Sequence, residues 1–182
     1  MLEIVLARLD VQSAALPPLA MLLSADEVAR AERFRLERDR RRFVVARATL
    51  RRLLGERLSR DPQGLRFVYG PHGKPALEAA ELRFNLSHSG ELALYAFSAG
   101  RDVGIDVEAV RAVPEAERIA REWFPEADYR RFGFLGCWTR KEALAKALGR
   151  GIADGPVDAS GWSVHGFSPA PGYVAALARR IH

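Results

Sequence analysis

Residues 104–108 read Gly-Ile-Asp-Val-Glu, and the β-branched residues flanking Asp106 mark a strand. Side chains alternate along a strand, so Asp106 and Glu108 project from one face. Two carboxylates side by side repel unless water screens them or a cation sits between them. An all-oxygen pair of this kind suits a hard divalent ion, Mg²⁺ or Mn²⁺. The bland alternative is a solvated strand end. A second set lies in Trp138-Thr139-Arg140-Lys141-Glu142-Ala143-Leu144-Ala145-Lys146. On a helix Glu142 and Lys146 stack four residues apart, and an exposed pair of this kind is worth only about 0.2–0.5 kcal/mol. Facing a cleft instead, Glu142 becomes a third ligand or a base, and Lys146 a cation beside a phosphate.

A third set is Phe84-Asn85-Leu86-Ser87-His88-Ser89-Gly90. A strand ending this way exposes hydroxyls, an imidazole and backbone N–H groups at its tip, all of them groups that bind phosphate. A Ser-His hydrolase is set aside, because nucleophile and base rarely adjoin in sequence and no G-x-S-x-G motif occurs. Gly73-Lys74-Pro75 is a turn carrying a lysine; it lacks the glycine spacing and the following Ser/Thr of a P-loop.

The elements that must hold these groups follow from periodicity and punctuation. Residues 2–9 read as a strand. Ser24 and Glu27 have capping-box spacing at a helix start. A long helix runs from about 38 to 58, with Phe43, Val44, Ala46, Leu50, Leu53 and Leu54 on one side, arginines on the other, and Asp61-Pro62 beyond its end. Strands follow at 65–69 and 82–86, joined by the turn-rich segment Gly70–Leu77. Residues 91–98 alternate as a further strand and turn at 99–102 into 103–108. Helices cover 114–123 and 126–148, the second stopped by Gly149 and Gly151. Residues 162–167 and 173–178 close the chain as a hairpin. The order predicts an α+β fold of two similar lobes, 1–99 and 100–182, the second carrying the acidic residues.

Composition narrows the partners. The 182 residues suffice for one compact domain or two small lobes, and no apolar run approaches a bilayer span. The N-terminus has no basic region and no small-residue cleavage site, so no signal peptide is expected. One cysteine, Cys137, rules out an intrachain disulfide and fits a reducing cytosol. The net charge is +5, and only three of the 28 basic residues are lysines. Between Arg30 and Arg60 twelve arginines face four carboxylates. Such a surface attracts an anion: nucleic acid, anionic lipid, a polyphosphate cofactor or an acidic protein.

In order, G-K-P, F-N-x-S-H-S, G-I-D-x-E and W-x-x-K-E-x-x-x-K form a pattern that resembles the Sfp-type 4′-phosphopantetheinyl transferases. This chain supplies it as Gly73–Pro75, Phe84–Ser89, Gly104–Glu108 and Trp138–Lys146, the fourth element with Arg140-Lys141-Glu142. Glu32-Arg33-Phe34, Asp39–Phe43 and Pro171-Gly172-Tyr173 also match, so the likeness covers nearly the whole chain. It implies a pseudo-twofold pair of lobes with coenzyme A between them. It implies Asp106, Glu108 and Glu142 as ligands of Mg²⁺ or Mn²⁺. Arg30, Arg42, Lys74, Ser87 and His88 would bind the nucleotide and its phosphates. Lys146 would steady or protonate the departing 3′,5′-ADP, and Glu142 would take the proton from the serine, making Glu142, Lys146 and His88 the catalytic set. The partner implied is an acidic acyl or peptidyl carrier protein, with the enzyme cytoplasmic, monomeric and free of membrane. The chain departs from the family in having fewer residues between 151 and 171, which bears on the closure of the C-terminal lobe.

Three rivals stand beside this reading. A nucleic-acid binder would interleave exposed aromatics with arginine, whereas Phe43 and its neighbours sit at core spacing. A Mg²⁺-dependent nucleotide hydrolase would release product without an acceptor protein. A relative that binds coenzyme A without turning it over would use the same residues.

Overall fold

The structure, a computed structural model, describes residues 2–79, 82–155 and 158–181. Helix and sheet are mixed. In chain order come β1 (Leu2–Arg8), a 3-10 turn (Ser13–Ala15), α1 (Leu16–Ala20), α2 (Ala25–Glu32), α3 (Glu37–Leu58), β2 (Phe67–Tyr69), β3 (Pro75–Leu77), β4 (Arg83–Ser89), β5 (Leu92–Ser98), β6 (Val103–Ala109), α4 (Ala116–Trp123), α5 (Glu126–Leu148), β7 (Trp162–Phe167) and β8 (Tyr173–Arg180). The strands form three sheets, ordered β1-β5-β4, β2-β3 and β6-β8-β7. The chain divides into two compact units. One comprises Met1–Val5, Val68–Gly90 and Leu94–His182, the other Leu6–Phe67 and Glu91–Ala93. No helix among the described residues is long and apolar enough to cross a membrane.

In the helical unit α2 begins with the capping box read from the sequence: the Glu27 side chain accepts the Ser24 N–H at 3.0 Å. Glu27 is 1 % exposed and also accepts Arg51 Nε at 2.6 Å. Arg51, equally buried, donates on to the carbonyls of Pro62 (2.8 Å) and Leu65 (3.1 Å), so one guanidinium ties α2, α3 and the following loop together. The expectation of arginines facing solvent along α3 therefore holds for Arg38, Arg40 and Arg52 but fails for Arg47 and Arg51. A buried carboxylate and the loop carbonyls outweigh the desolvation of a guanidinium there. The short helical segments at 13–20 carry no period long enough to be read in advance.

In the other unit α5 lies on the sheet β6-β8-β7, all of whose pairings are antiparallel. Ala143, Leu144 and Ala147 of the helix pack with Trp162, Ala176 and Ala178 of the strands. The contact is so close that a Cβ on Gly104 would lie 2.0 Å from the Ala143 carbonyl oxygen and 2.4 Å from Ala147 N. Gly104 and the alanines bring helix and strand backbones together. The α5 boundaries match the expectation, but Gly133 (φ 66°, ψ 177°) breaks the helix near its start.

Two readings of the strands change. The Gly70–Leu77 turn contains a strand, β3, paired with β2; Pro75 at its first residue is a position that needs no ladder donor. The alternation expected of residues 91–98 is absent from burial: every residue of β5 is buried, because it is the central strand of its sheet.

Candidate active site

Gly104, Asp106 and Glu108 share the face of β6 that looks at α5. Lys146, one helical turn from Ala143, donates from Nζ to Asp106 Oδ1 at 2.7 Å and to Ser87 Oγ at 3.0 Å. Ser87 Oγ itself donates to Asp106 Oδ1 at 2.8 Å. Asp106 is 4 % exposed, and its second oxygen, Oδ2, is buried with no hydrogen-bond partner in the structure. Burial pushes the Asp106 carboxyl up, against the pull of the Lys146 charge and the two hydrogen bonds; the Glu108 charge adds to the rise.

Glu142 sits half-buried one turn before Lys146. Burial raises its carboxyl, the Lys146 ammonium opposes the rise, and the charges of Asp106 and Glu108 add to it. Asp106 and Glu142 thus both feel the charge of Glu108. Among the described residues, however, no three acidic, His or Cys side chains are close enough to hold an ion between them. Glu108 Oε2 instead accepts Arg111 Nη1 at 2.6 Å and Ser89 Oγ at 2.9 Å. The donor set is still chemically suited to Mg²⁺ or Mn²⁺. It is all oxygen, its charges repel, and it contains one buried carboxylate oxygen without a partner. Mg²⁺ is commonly bound by one or two carboxylates together with substrate phosphate oxygens rather than by an all-protein cage.

Lys74 projects from the turn closed by the Gly73 N–H to Gly70 carbonyl bond. Its Nζ donates to the carbonyls of Val103 (3.2 Å) and Ala147 (3.4 Å), joining the start of β6 to the end of α5. Burial lowers its pKa to about 8, the Asp102 charge opposing the drop and the Arg83 charge adding to it. His88 is exposed, on the opposite face of β4 from Ser87. Arg30 and Arg42 belong to the helical unit. There the Arg30 guanidinium lies 5.6 Å from the Phe43 ring centre, and Arg42 makes a two-pronged pair with Asp10 at 2.7 and 2.6 Å. The structure therefore brings Ser87, Asp106, Glu142 and Lys146 together, with Glu108 two residues along β6 from Asp106, while Lys74 reaches the start of β6 and the end of α5 from its own turn. Ser87 is the residue whose placement differs most from the expectation: a phosphate-binding hydroxyl on a strand tip is instead 6 % exposed and engaged with Asp106 and Lys146.

The remaining letters of the α5 motif anchor the helix. Trp138 stacks on Trp123 of α4 (5.9 Å, 9°) and on Phe134, and Lys141 lies 4.2 Å above the Trp123 ring. Arg140 donates to the Val164 carbonyl of β7 at 3.0 Å. Sequence reasoning missed Ser89, Asn85 and Arg111 as neighbours of the acids. The period-two spacing of Asn85, Ser87 and Ser89 was the available signal for the first two.

Comparison with known proteins bears on what such a site is. Residues 12–99 match the family model "4′-phosphopantetheinyl transferase, N-terminal", and residues 102–179 match the "4′-phosphopantetheinyl transferase superfamily". The chain is 40 % identical over 159 residues to the 4′-phosphopantetheinyl transferase HetI of Nostoc sp., covering 80 % of this chain and 67 % of that protein. It is 37 % identical over 153 residues to slr0495 of Synechocystis sp. (77 % and 62 %). It is 31 % identical over 160 residues to the 4′-phosphopantetheinyl transferase AcpT of Salmonella typhimurium (82 % and 75 %). The chain thus spans less than two thirds of the length of slr0495 and about two thirds of HetI. On these matches the chain belongs to the 4′-phosphopantetheinyl transferase superfamily.

Proposed function

We propose that this chain transfers the 4′-phosphopantetheine arm of coenzyme A to a serine of an acidic acyl or peptidyl carrier protein, with Mg²⁺ or Mn²⁺, releasing 3′,5′-ADP. The observation that carries the reading is the buried meeting of Lys146 Nζ, Ser87 Oγ and Asp106, which leaves Asp106 Oδ2 without a partner. Family membership and the four motifs in register support it. The same reading makes the protein a cytoplasmic monomer, with nucleic acid and membrane set aside as partners. The reading also takes the chain as two similar lobes, 1–99 and 100–182, a boundary that agrees with the junction of the two family models near residue 100.

Asp106, Glu108 and Glu142 would hold the divalent ion, which supplies charge stabilisation at the diphosphate of coenzyme A. Lys146 Nζ, already oriented by Asp106 and Ser87, places a cation where the departing phosphate oxygen gains charge. A positioned cation of this kind needs no reorganisation as the charge develops. Glu142 has its proton affinity raised by burial and by two neighbouring acids, which suits it to accept the proton of the carrier serine at its carboxylate. Lys74, His88, Arg30 and Arg42 are assigned to the nucleotide and its phosphates, and the arginine-rich α3 to steering an acidic carrier.

The test is to mix the protein, coenzyme A, Mg²⁺ and an apo carrier protein and to weigh the carrier by mass spectrometry. The expected result is a gain of one phosphopantetheine arm, abolished in Asp106→Ala and Glu142→Ala. No gain with either Mg²⁺ or Mn²⁺ refutes the reading, and coenzyme A cleavage without a carrier selects the hydrolase in its place. Near-normal transfer by either variant refutes the ligand assignment.

A further inference from the structure

β4 and β6 lie in different sheets, yet three backbone N–H groups of β6 are taken up by side chains of β4. Asn85 Oδ1 accepts Ile105 N–H at 2.8 Å, Ser87 Oγ accepts Val107 N–H at 3.4 Å, and Ser89 Oγ accepts Ala109 N–H at 3.1 Å. The offset is twenty residues in all three, so the strands run parallel and in register. Successive N–H groups alternate between the two edges of a strand. Residues 105, 107 and 109 therefore present theirs to one side, and the side chains of 85, 87 and 89 come from one face of β4. Two of the three rungs continue to the acids: Ser87 Oγ donates to Asp106 Oδ1 and Ser89 Oγ donates to Glu108 Oε2.

We propose that Asn85, Ser87 and Ser89 form a side-chain ladder that fixes β6 against β4, and that through it Ser89 is a positioning residue for the Glu108 carboxylate, as Ser87 is for Asp106. A hydroxyl seated on a backbone N–H has its own donor directed, since the accepted bond fixes which way its O–H can turn. Ser87 and Ser89 each accept one β6 amide and give their proton to the acid one residue before that amide. The carboxylates are thereby held by the strand next door rather than by their own side-chain torsions. Asn85 carries the same register at the other end, where Gly104 leaves no side chain to orient. The ladder itself stands on hydrogen bonds alone; the positioning of metal-holding acids rests on the reading under Proposed function.

Ser89 is the rung to test, because it is only partly buried and its loss should leave the fold intact. In Ser89→Ala, hydrogen exchange of the Ala109 amide should speed by on the order of tenfold while the Ile105 and Val107 amides keep their rates. Ser89→Thr, which keeps the hydroxyl, should restore it. Unchanged exchange at Ala109, or equal loss at all three amides, overturns the ladder. The second arm titrates Mn²⁺ into protein saturated with coenzyme A and follows the free ion by electron paramagnetic resonance. Ser89→Ala should weaken Mn²⁺ by about tenfold or more, with Ser89→Thr near wild type. Equal affinity in Ser89→Ala and wild type overturns the positioning role. Failure of the wild type to take up Mn²⁺ defeats the metal reading and the positioning role with it, while the exchange arm still decides the ladder.

Discussion

Replacing Gly104 by alanine places a methyl group where α5 runs against β6. Its Cβ would lie 2.0 Å from the Ala143 carbonyl oxygen and 2.4 Å from Ala147 N, where real contacts keep 3.0 Å or more. Both atoms are backbone and cannot rotate aside, so the helix must retreat by at least about 1 Å, with the packing of Ala143, Ala147 and Leu144 on Ala176, Ala178 and Trp162 opened as it goes. Overpacking costs about 1–3 kcal/mol where side chains can yield; with two backbone atoms in the way the upper end, about 3 kcal/mol, is expected. For a chain of this size that is a fall in Tm of about 6–12 °C. The site should suffer as well. Lys146 rides on α5, and its 2.7 Å bond to Asp106 stretches beyond hydrogen-bonding reach if the helix withdraws by about 1 Å along that line. The assay is urea and thermal unfolding of wild type, Gly104→Ala and a control, Gly64→Ala, whose nearest neighbour to a new Cβ is 3.5 Å away. Gly64→Ala should fall within about 1 kcal/mol of wild type, on the stabilising side. Should Gly104→Ala unfold within about 0.5 kcal/mol of wild type, the close approach of strand and helix is wrong and so is the account of how the site is assembled.

Other outcomes follow from single residues. Lys74, with a pKa of about 8 when folded, gives up its proton there while the unfolded chain keeps it to about pH 10.4. The unfolded state binds more protons between those values, so stability should rise with pH across that window by up to about 3 kcal/mol, a rise absent in Lys74→Met and checked by urea unfolding at stepped pH. If Lys74 holds a phosphate, coenzyme A affinity in calorimetry should fall above pH 8 in wild type and stay flat in Lys74→Met; parallel profiles would remove it from the nucleotide site. Lys146→Ala should slow transfer far more than it weakens coenzyme A binding, and equal losses would make Lys146 a binding residue only. Arg51→Met leaves Glu27 buried without its main partner and frees the carbonyls of Pro62 and Leu65, so a loss of about 3–5 kcal/mol is expected in urea unfolding. A variant as stable as wild type would mean that apolar packing alone holds that loop.

Much of the molecule could be read along the chain because its signals are local. The capping box at Ser24 and Glu27, the ends of α5 and the β7–β8 hairpin each depend on residues a few positions apart. The candidate site was legible for the same reason: period two puts Asp106 and Glu108 on one face, and period 3.6 puts Glu142 and Lys146 on another. Which partner each group meets was not legible, because that depends on chain brought in from elsewhere. Lys146 donates its hydrogen bonds to Asp106 and Ser87, 40 and 59 residues away, and Ser87 is drawn inward by the β6 amide and Asp106. Arg47 and Arg51 look like solvent-facing positions of an amphipathic helix until the Glu27 carboxylate meets them. Local pattern determined which residues could act together on one element. Only tertiary packing decided which charges are buried, which hydroxyls are already engaged and how near α5 comes to β6, since burial and long-range hydrogen bonding are properties of the folded surface rather than of spacing.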